Sequence, residues 1–126
     1  MKKILVVDDE ADVQSLFTQH FRKEIRNGEI EIFFSLSAQD AIDKINGPLQ
    51  DVQFVFSDIN MPGMSGFDLL KELHLGPGLK KYKVFMISAY SDSLSIQMSK
   101  ELGVEDFFTK PLDFSSVKNV IKSEQE

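Results

Sequence analysis

The sequence predicts an α/β fold: an open parallel sheet with helices on both faces. Three observations predict it. Short apolar runs recur along the chain, each compact enough to be a strand buried on both sides. Between them lie segments whose apolar residues repeat at three- and four-residue spacing, the mark of a helix with one buried face. Gly, Pro, Asn and Asp punctuate the changes from one to the other. Five such strand and helix units in alternation leave little choice of architecture.

The first strand is Ile4 to Val7, and the first helix carries Val13, Leu16, Phe17, Phe21 and Ile25 on its apolar face. Asn27-Gly28 ends that helix, because both residues tolerate the left-handed backbone of a helix terminus. The second strand is Ile30 to Phe34, where Glu29 and Glu31 suggest an edge position. Ser37 with Asp40 caps a second helix built on Ala38, Ala41, Ile42 and Ile45, and Gly47-Pro48 stops it. Val52 to Phe56 forms the third strand, and the loop from Ser57 to Gly66 follows. Ser65 with Asp68 opens a third helix carrying Phe67, Leu70 and Leu73, broken by Gly76-Pro77-Gly78. The fourth strand is Val84 to Ile87. A Ser-rich stretch from Ser91 to Gly103 gives a weaker fourth helix through Leu94, Met98 and Leu102. Glu105 to Thr109 is a short fifth strand, and Asp113 caps a last helix through Phe114, Val117, Val120 and Ile121.

Composition narrows the function. The 126 residues suit one domain, with 42% hydrophobic and 27% charged residues, the balance of a soluble globular protein. There are no cysteines, which excludes disulfides and thiolate metal sites. A net charge of -6 disfavours direct binding of nucleic acid. The apolar run near the start stops at Asp8-Asp9-Glu10, too soon for a signal peptide, and no run reaches membrane-spanning length. A cytoplasmic location with no membrane partner is the expectation.

In an open parallel sheet the functional residues lie beyond the carboxyl ends of the strands. There the chain places Asp8, Asp9 and Glu10 after strand one, Ser57 and Asp58 after strand three, Ser88 and Ala89 after strand four, and Thr109, Lys110 and Pro111 after strand five. Each has a plain explanation alone: a helix cap, a turn residue, a strand-end hydroxyl, a solvated lysine. Their convergence on one edge is what calls for chemistry. Carboxylates held together repel and raise one another's pKa, and a hard divalent cation relieves this. Asp8, Asp9 and Asp58 balance one Mg2+ and Lys110, leaving room for a phosphoryl group. Elsewhere His20, distant from His74 in sequence, reads as a helix-boundary residue, and the phenylalanines read as core.

The stretches Val6-Val7-Asp8-Asp9-Glu10, Asp58-Ile59-Asn60-Met61-Pro62-Gly63-Met64-Ser65-Gly66, Ile87-Ser88-Ala89 and Phe108-Thr109-Lys110-Pro111, in that order, resemble the receiver domains of two-component response regulators. The resemblance runs from Lys3 to about Lys122, so residues 1–126 read as a single receiver domain. It implies a flavodoxin-like (βα)5 fold with strand order 2-1-3-4-5. It also implies a phosphorylation-dependent switch, with no turnover enzyme beyond catalysis of its own phosphorylation and dephosphorylation. Asp58 would be the phosphoacceptor. Asp9, Asp58 and the backbone carbonyl of Asn60 would ligate Mg2+, with Mn2+ as a substitute, and Asp8 would act mainly through metal-bound water. Lys110 would pair with a phosphoryl oxygen, aimed inward by a cis bond to Pro111, while Pro62 and Gly66 shape the loop behind Asp58. Ser88 would be the switch hydroxyl and Phe107 its coupled aromatic partner. Asn60 and Tyr90 would tune the lifetime of the acyl phosphate; Tyr90 would shield it from water. The implied partners are a sensor histidine kinase or phosphotransfer protein and an output domain or effector. The responding surface would be the fourth helix, fifth strand and fifth helix, with room for a homodimer there.

Phosphatases of the haloacid dehalogenase type also combine an aspartate nucleophile with magnesium, but need a second Asp where this chain has Asn60. A flavodoxin-like electron carrier would want a phosphate-cradling loop where Asp8-Asp9-Glu10 stands, and a nucleotide switch would need a G-x-x-x-x-G-K-[ST] loop that is absent. A degenerate receiver acting only as a binding module would lack an acceptor or a metal ligand.

Overall fold

The structure is a computed structural model that describes residues 2–59, 63, 65, 68–69, 71–72, 82–88, 97, 101, 104 and 106–123. Five strands form one parallel sheet: β1 (Lys2–Val7), β2 (Ile30–Ser35), β3 (Phe54–Asp58), β4 (Lys83–Ser88) and β5 (Asp106–Thr109). Their order is β2-β1-β3-β4-β5, with β2 at an edge, as Glu29 and Glu31 suggest. The helices described in full are α1 (Ala11–His20), α2 (Arg22–Arg26), α3 (Ala38–Ile45) and α4 (Phe114–Ser123), the last being the fifth helix of the sequence reading.

Alternation along the strands divides the core in two. Leu5, Val7, Val55, Val84 and Met86 face one side, where Ala38, Ala41 and Ile45 of α3 pack on them together with Ile59 and Leu69. Ile4, Val6, Phe54, Phe56, Phe85 and Ile87 face the other, under Val13 and Phe17 of α1, Phe21, and Phe114, Val117 and Ile121 of α4. Because β1, β3 and β4 are buried on both faces, they read as continuous apolar runs rather than alternating ones. Phe17 is the hub of an aromatic cluster, stacked on Phe21, tilted against Phe56 and edge-on to Phe114.

Capping follows the sequence closely. Ser37 Oγ receives the Asp40 amide at 3.1 Å to start α3. The Ser65 amide and hydroxyl both donate to Asp68 Oδ2 at 3.1 Å, while the Asp68 amide donates back to Ser65 Oγ, and residues 68–69 and 71–72 are helical. Asp113 Oδ1 receives the Ser115 amide at the head of α4. Phe67, Leu70, Leu73, the break at residues 76–78 and most of the predicted fourth helix lie outside the described residues.

Two expectations need correction. The third strand runs two residues later than Val52 to Phe56, so Ser57 and Asp58 belong to the strand itself, with Asp58 opposite Ile87. The first helix is not one apolar-faced unit. Its backbone opens at Phe21 (φ -106°, ψ 14°), where the fully buried ring enters the core, and the chain resumes as α2 before Gly28 turns it with φ 75°. The buried face runs instead through Val13, Phe17, Phe21 and Glu24. Leu16 and Ile25 are 43% and 38% exposed, while Glu24 is buried and pairs with Lys118 of α4 at 3.3 Å.

Candidate functional site

The site forms where β1 and β3, two adjacent interior strands, end side by side. The chain leaves β1 through Asp8, whose amide donates to Ser35 and whose Oδ1 receives the Glu10 amide at 2.9 Å. Asp8 thereby closes the turn into α1, which begins without a side-chain cap of its own. Asp58 ends β3 with its carboxylate nearly buried. Beneath it Ser57 is fully buried and donates its hydroxyl to the Asp58 carbonyl.

Lys110 enters from the far side of the sheet. Its amide donates to the Ser88 carbonyl at 2.8 Å, and the Lys110–Pro111 peptide is cis. Its ammonium lies 3.0 Å from Glu10 Oε1, 3.1 Å from Asp8 Oδ2 and 3.2 Å from Asp58 Oδ2. Burial disfavours the charge on Lys110, but the Glu10 and Asp8 carboxylates and the charge of Asp58 outweigh that and hold it above its usual range. For Asp8 the balance falls the other way. Burial raises its carboxyl, and the Glu10 amide and Lys110 offset this only in part.

The four carboxylates of Asp8, Asp9, Glu10 and Asp58 each offer an oxygen within 4.8 Å of the others. Asp8 Oδ2 is buried and near Lys110, yet among the described residues no hydrogen-bond donor is aimed at it. A hard cation is the partner such an oxygen lacks. Oxygen-only donors with more negative charge than one lysine can balance fit a divalent ion of the magnesium class.

Ser88, the last residue of β4, is buried opposite Thr109 and one position beyond the partner of Asp58. Phe107 lies opposite Met86 and packs, half-buried, on the α3 side of the core. The structure thus gathers Asp8, Asp9, Asp58, Ser88 and Lys110 at one sheet edge, with Phe107 on the adjoining strand. Asn60, Pro62, Gly66 and Tyr90 lie outside the described residues. The sequence reading gave Glu10 no role; its signal was a third acidic residue directly after Asp8-Asp9. His20, read as a boundary residue, is exposed and stacks on Phe114 with ring centres 4.1 Å apart.

Comparison with known proteins bears on the family and the fold. The family model described as the response regulator receiver domain matches residues 4–122. The chain is 31% identical to sporulation initiation phosphotransferase F of Bacillus subtilis, over 96% of this chain and 91% of that one. It is 33% identical to chemotaxis protein CheY-3 of Vibrio cholerae, over 92% and 85%. Among solved structures it resembles the CheX-CheY-BeF3-Mg+2 complex from Borrelia burgdorferi, with TM-score 0.84, 27% identity and coverage of 97% of this chain and 87% of that one. Chemotaxis protein CheY4 of Vibrio cholerae, at 20% identity, shares the fold with TM-score 0.83 over 99% of both chains.

Proposed function

The chain belongs to the response regulator receiver domain family, and from that premise we propose that Asp58 accepts a phosphoryl group from a phosphohistidine of a sensor kinase or phosphotransfer protein. Receiver domains are signalling domains of two-component systems that bind Mg2+ and work with such kinases and phosphotransfer proteins. The observation that carries the finer reading is the meeting of the Asp58 carboxylate with the Asp8, Asp9 and Lys110 side chains at one sheet edge.

In the proposed reaction an Asp58 carboxylate oxygen attacks phosphorus and forms the new O–P bond. The P–N bond breaks, and its electron pair leaves with the donor imidazole. Asp9 and Asp58, with the Asn60 carbonyl, would hold the Mg2+ directly, and Asp8 would act mainly through metal-bound water. The ion supplies charge neutralisation for the phosphoryl oxygens. Lys110 carries the complementary positive charge and stays protonated throughout. Ser88 then donates its hydroxyl to a phosphoryl oxygen, drawing in the end of β4, and Phe107 repacks on β5. That change biases the surface of the predicted fourth helix, β5 and α4 toward an output domain or effector. A cytoplasmic location fits this role; among the described residues no helix is long and apolar enough to cross a membrane. For Asn60, Pro62, Gly66 and Tyr90 the support is the sequence match alone.

Incubation with acetyl phosphate and Mg2+ tests the assignment. The wild type should gain one acid-stable, hydroxylamine-labile phosphoryl group, and Asp58→Ala should gain none. Full labelling of the Asp58→Ala protein would refute it.

A further inference from the structure

Three carboxylates surround the Lys110 ammonium: it donates hydrogen bonds to Glu10 and Asp58, and Asp8 Oδ2 lies 3.1 Å away as a charge contact. These partners differ in what becomes of them once the site is loaded. All three belong to the carboxylate group that could face a divalent ion, but Asp8 and Asp58 are nearly buried, with side-chain exposures of 2% and 6%. Asp58 is also the carboxylate that would become the acyl phosphate. Glu10 is different: its side chain is 63% exposed, it stands at the mouth of the cleft, and it makes the shortest of the three contacts, 3.0 Å. An entering phosphoryl oxygen therefore meets an ammonium already held by Glu10 from the solvent side, and the Glu10 charge opposes its approach.

Resting on the reading of Asp58 as acceptor, we infer that Glu10 is a positioning residue for Lys110: it draws the ammonium toward solvent and competes for it with the phosphoryl group. Glu10 thus restrains loading by small anionic donors. The contact is an exposed ion pair bridging positions 100 residues apart, so its strength is that of a surface pair. Its removal should tighten phosphoryl binding by about two- to fivefold, the range that such a pair supports.

The test measures beryllofluoride affinity at saturating Mg2+, by calorimetry and by fluorine NMR of the bound anion, for wild type, Glu10→Gln and Glu10→Asp. Affinity for Mg2+ alone is measured beside it. Glu10→Gln removes the charge; Glu10→Asp keeps it on an arm one methylene shorter. Both variants should bind beryllofluoride more tightly than wild type and label faster with acetyl phosphate. Tightening in Glu10→Gln alone would make the effect one of bulk charge and overturn the positioning role. A loss of Mg2+ affinity of about tenfold or more in Glu10→Gln would make Glu10 part of the cation site instead and also overturn it. Equal affinities in all three proteins refute the role of Glu10 while leaving Asp58 as acceptor. A wild type that neither binds the mimic nor labels refutes the acceptor reading itself.

Discussion

Replacing Asp8 by asparagine removes one charge from a crowded cluster while keeping the oxygen that receives the Glu10 amide. At an effective dielectric constant of about 20, each like-charge pair at 4.8 Å costs roughly 3.5 kcal/mol, and Asp8 has three such neighbours at or inside that distance. Its attraction to Lys110 at 3.1 Å contributes about 5 kcal/mol in the opposite sense. Asp9 and Glu10 are exposed, so solvent weakens their share, and an excess repulsion of about 1–3 kcal/mol remains. Asp8→Asn should therefore stabilise the metal-free protein by about that amount. For a chain of this size the melting temperature should rise by about 3–15 °C. The assay is thermal unfolding in chelator, repeated with Mg2+, which should raise the wild-type midpoint more than that of the variant. The pH dependence has a definite sign. A carboxyl whose folded pKa is raised penalises folding above that pKa, and the penalty vanishes below the ordinary value of 3.8. The advantage of Asp8→Asn should then shrink as pH falls toward 4. A lower melting temperature for the variant at neutral pH in chelator would refute the reasoning.

Two further outcomes follow from the packing. Glu24→Gln should destabilise by about 1–3 kcal/mol in denaturant titration, because the partly buried Lys118 loses its charged partner. Burial tends to raise the Glu24 carboxyl, but its own backbone amide and Lys118 outweigh that and hold it below 4.5; its contribution is present above 4.5 and is lost as pH falls through the lowered value. Phe17→Ala, which removes a ring packed against three others, should cost about 3–5 kcal/mol in the same titration. Retention of wild-type stability by either variant would count against the packing described.

The strands were legible because β1, β3 and β4 are covered on both faces and so appear as bare apolar runs. Caps were legible because Ser37, Ser65 and Asp113 act within three residues of themselves. What the apolar pattern could not supply was the inward place of a glutamate. Val13, Phe17, Phe21 and Glu24 share one buried face at three- and four-residue spacing, which leaves Leu16 and Ile25 at its margins. Glu24 is tolerated there because Lys118 arrives from another helix, a partner that no local pattern announces. The site divides along the same line. The gathering of Asp8, Asp9, Asp58, Ser88 and Lys110 follows from topology once the strand ends are known. The hold of Glu10 on Lys110 is a matter of side-chain reach across two strand ends, and only coordinates reveal it.

The span of these contacts has a consequence for how the molecule comes into being. Lys110 meets Asp58 across 52 positions and Glu10 across 100, and Lys2 donates to the carbonyl of Ile121. Such pairings can close only after long stretches of chain are already organised, which makes them late and slow steps. A chain emerging from the ribosome presents Asp8 and Asp58 well before Lys110 exists to meet them. Until β5 docks, the nascent protein carries its acidic group without the lysine that offsets it. If Asp58 accepts a phosphoryl group as proposed, that acceptance would report that the sheet has been completed.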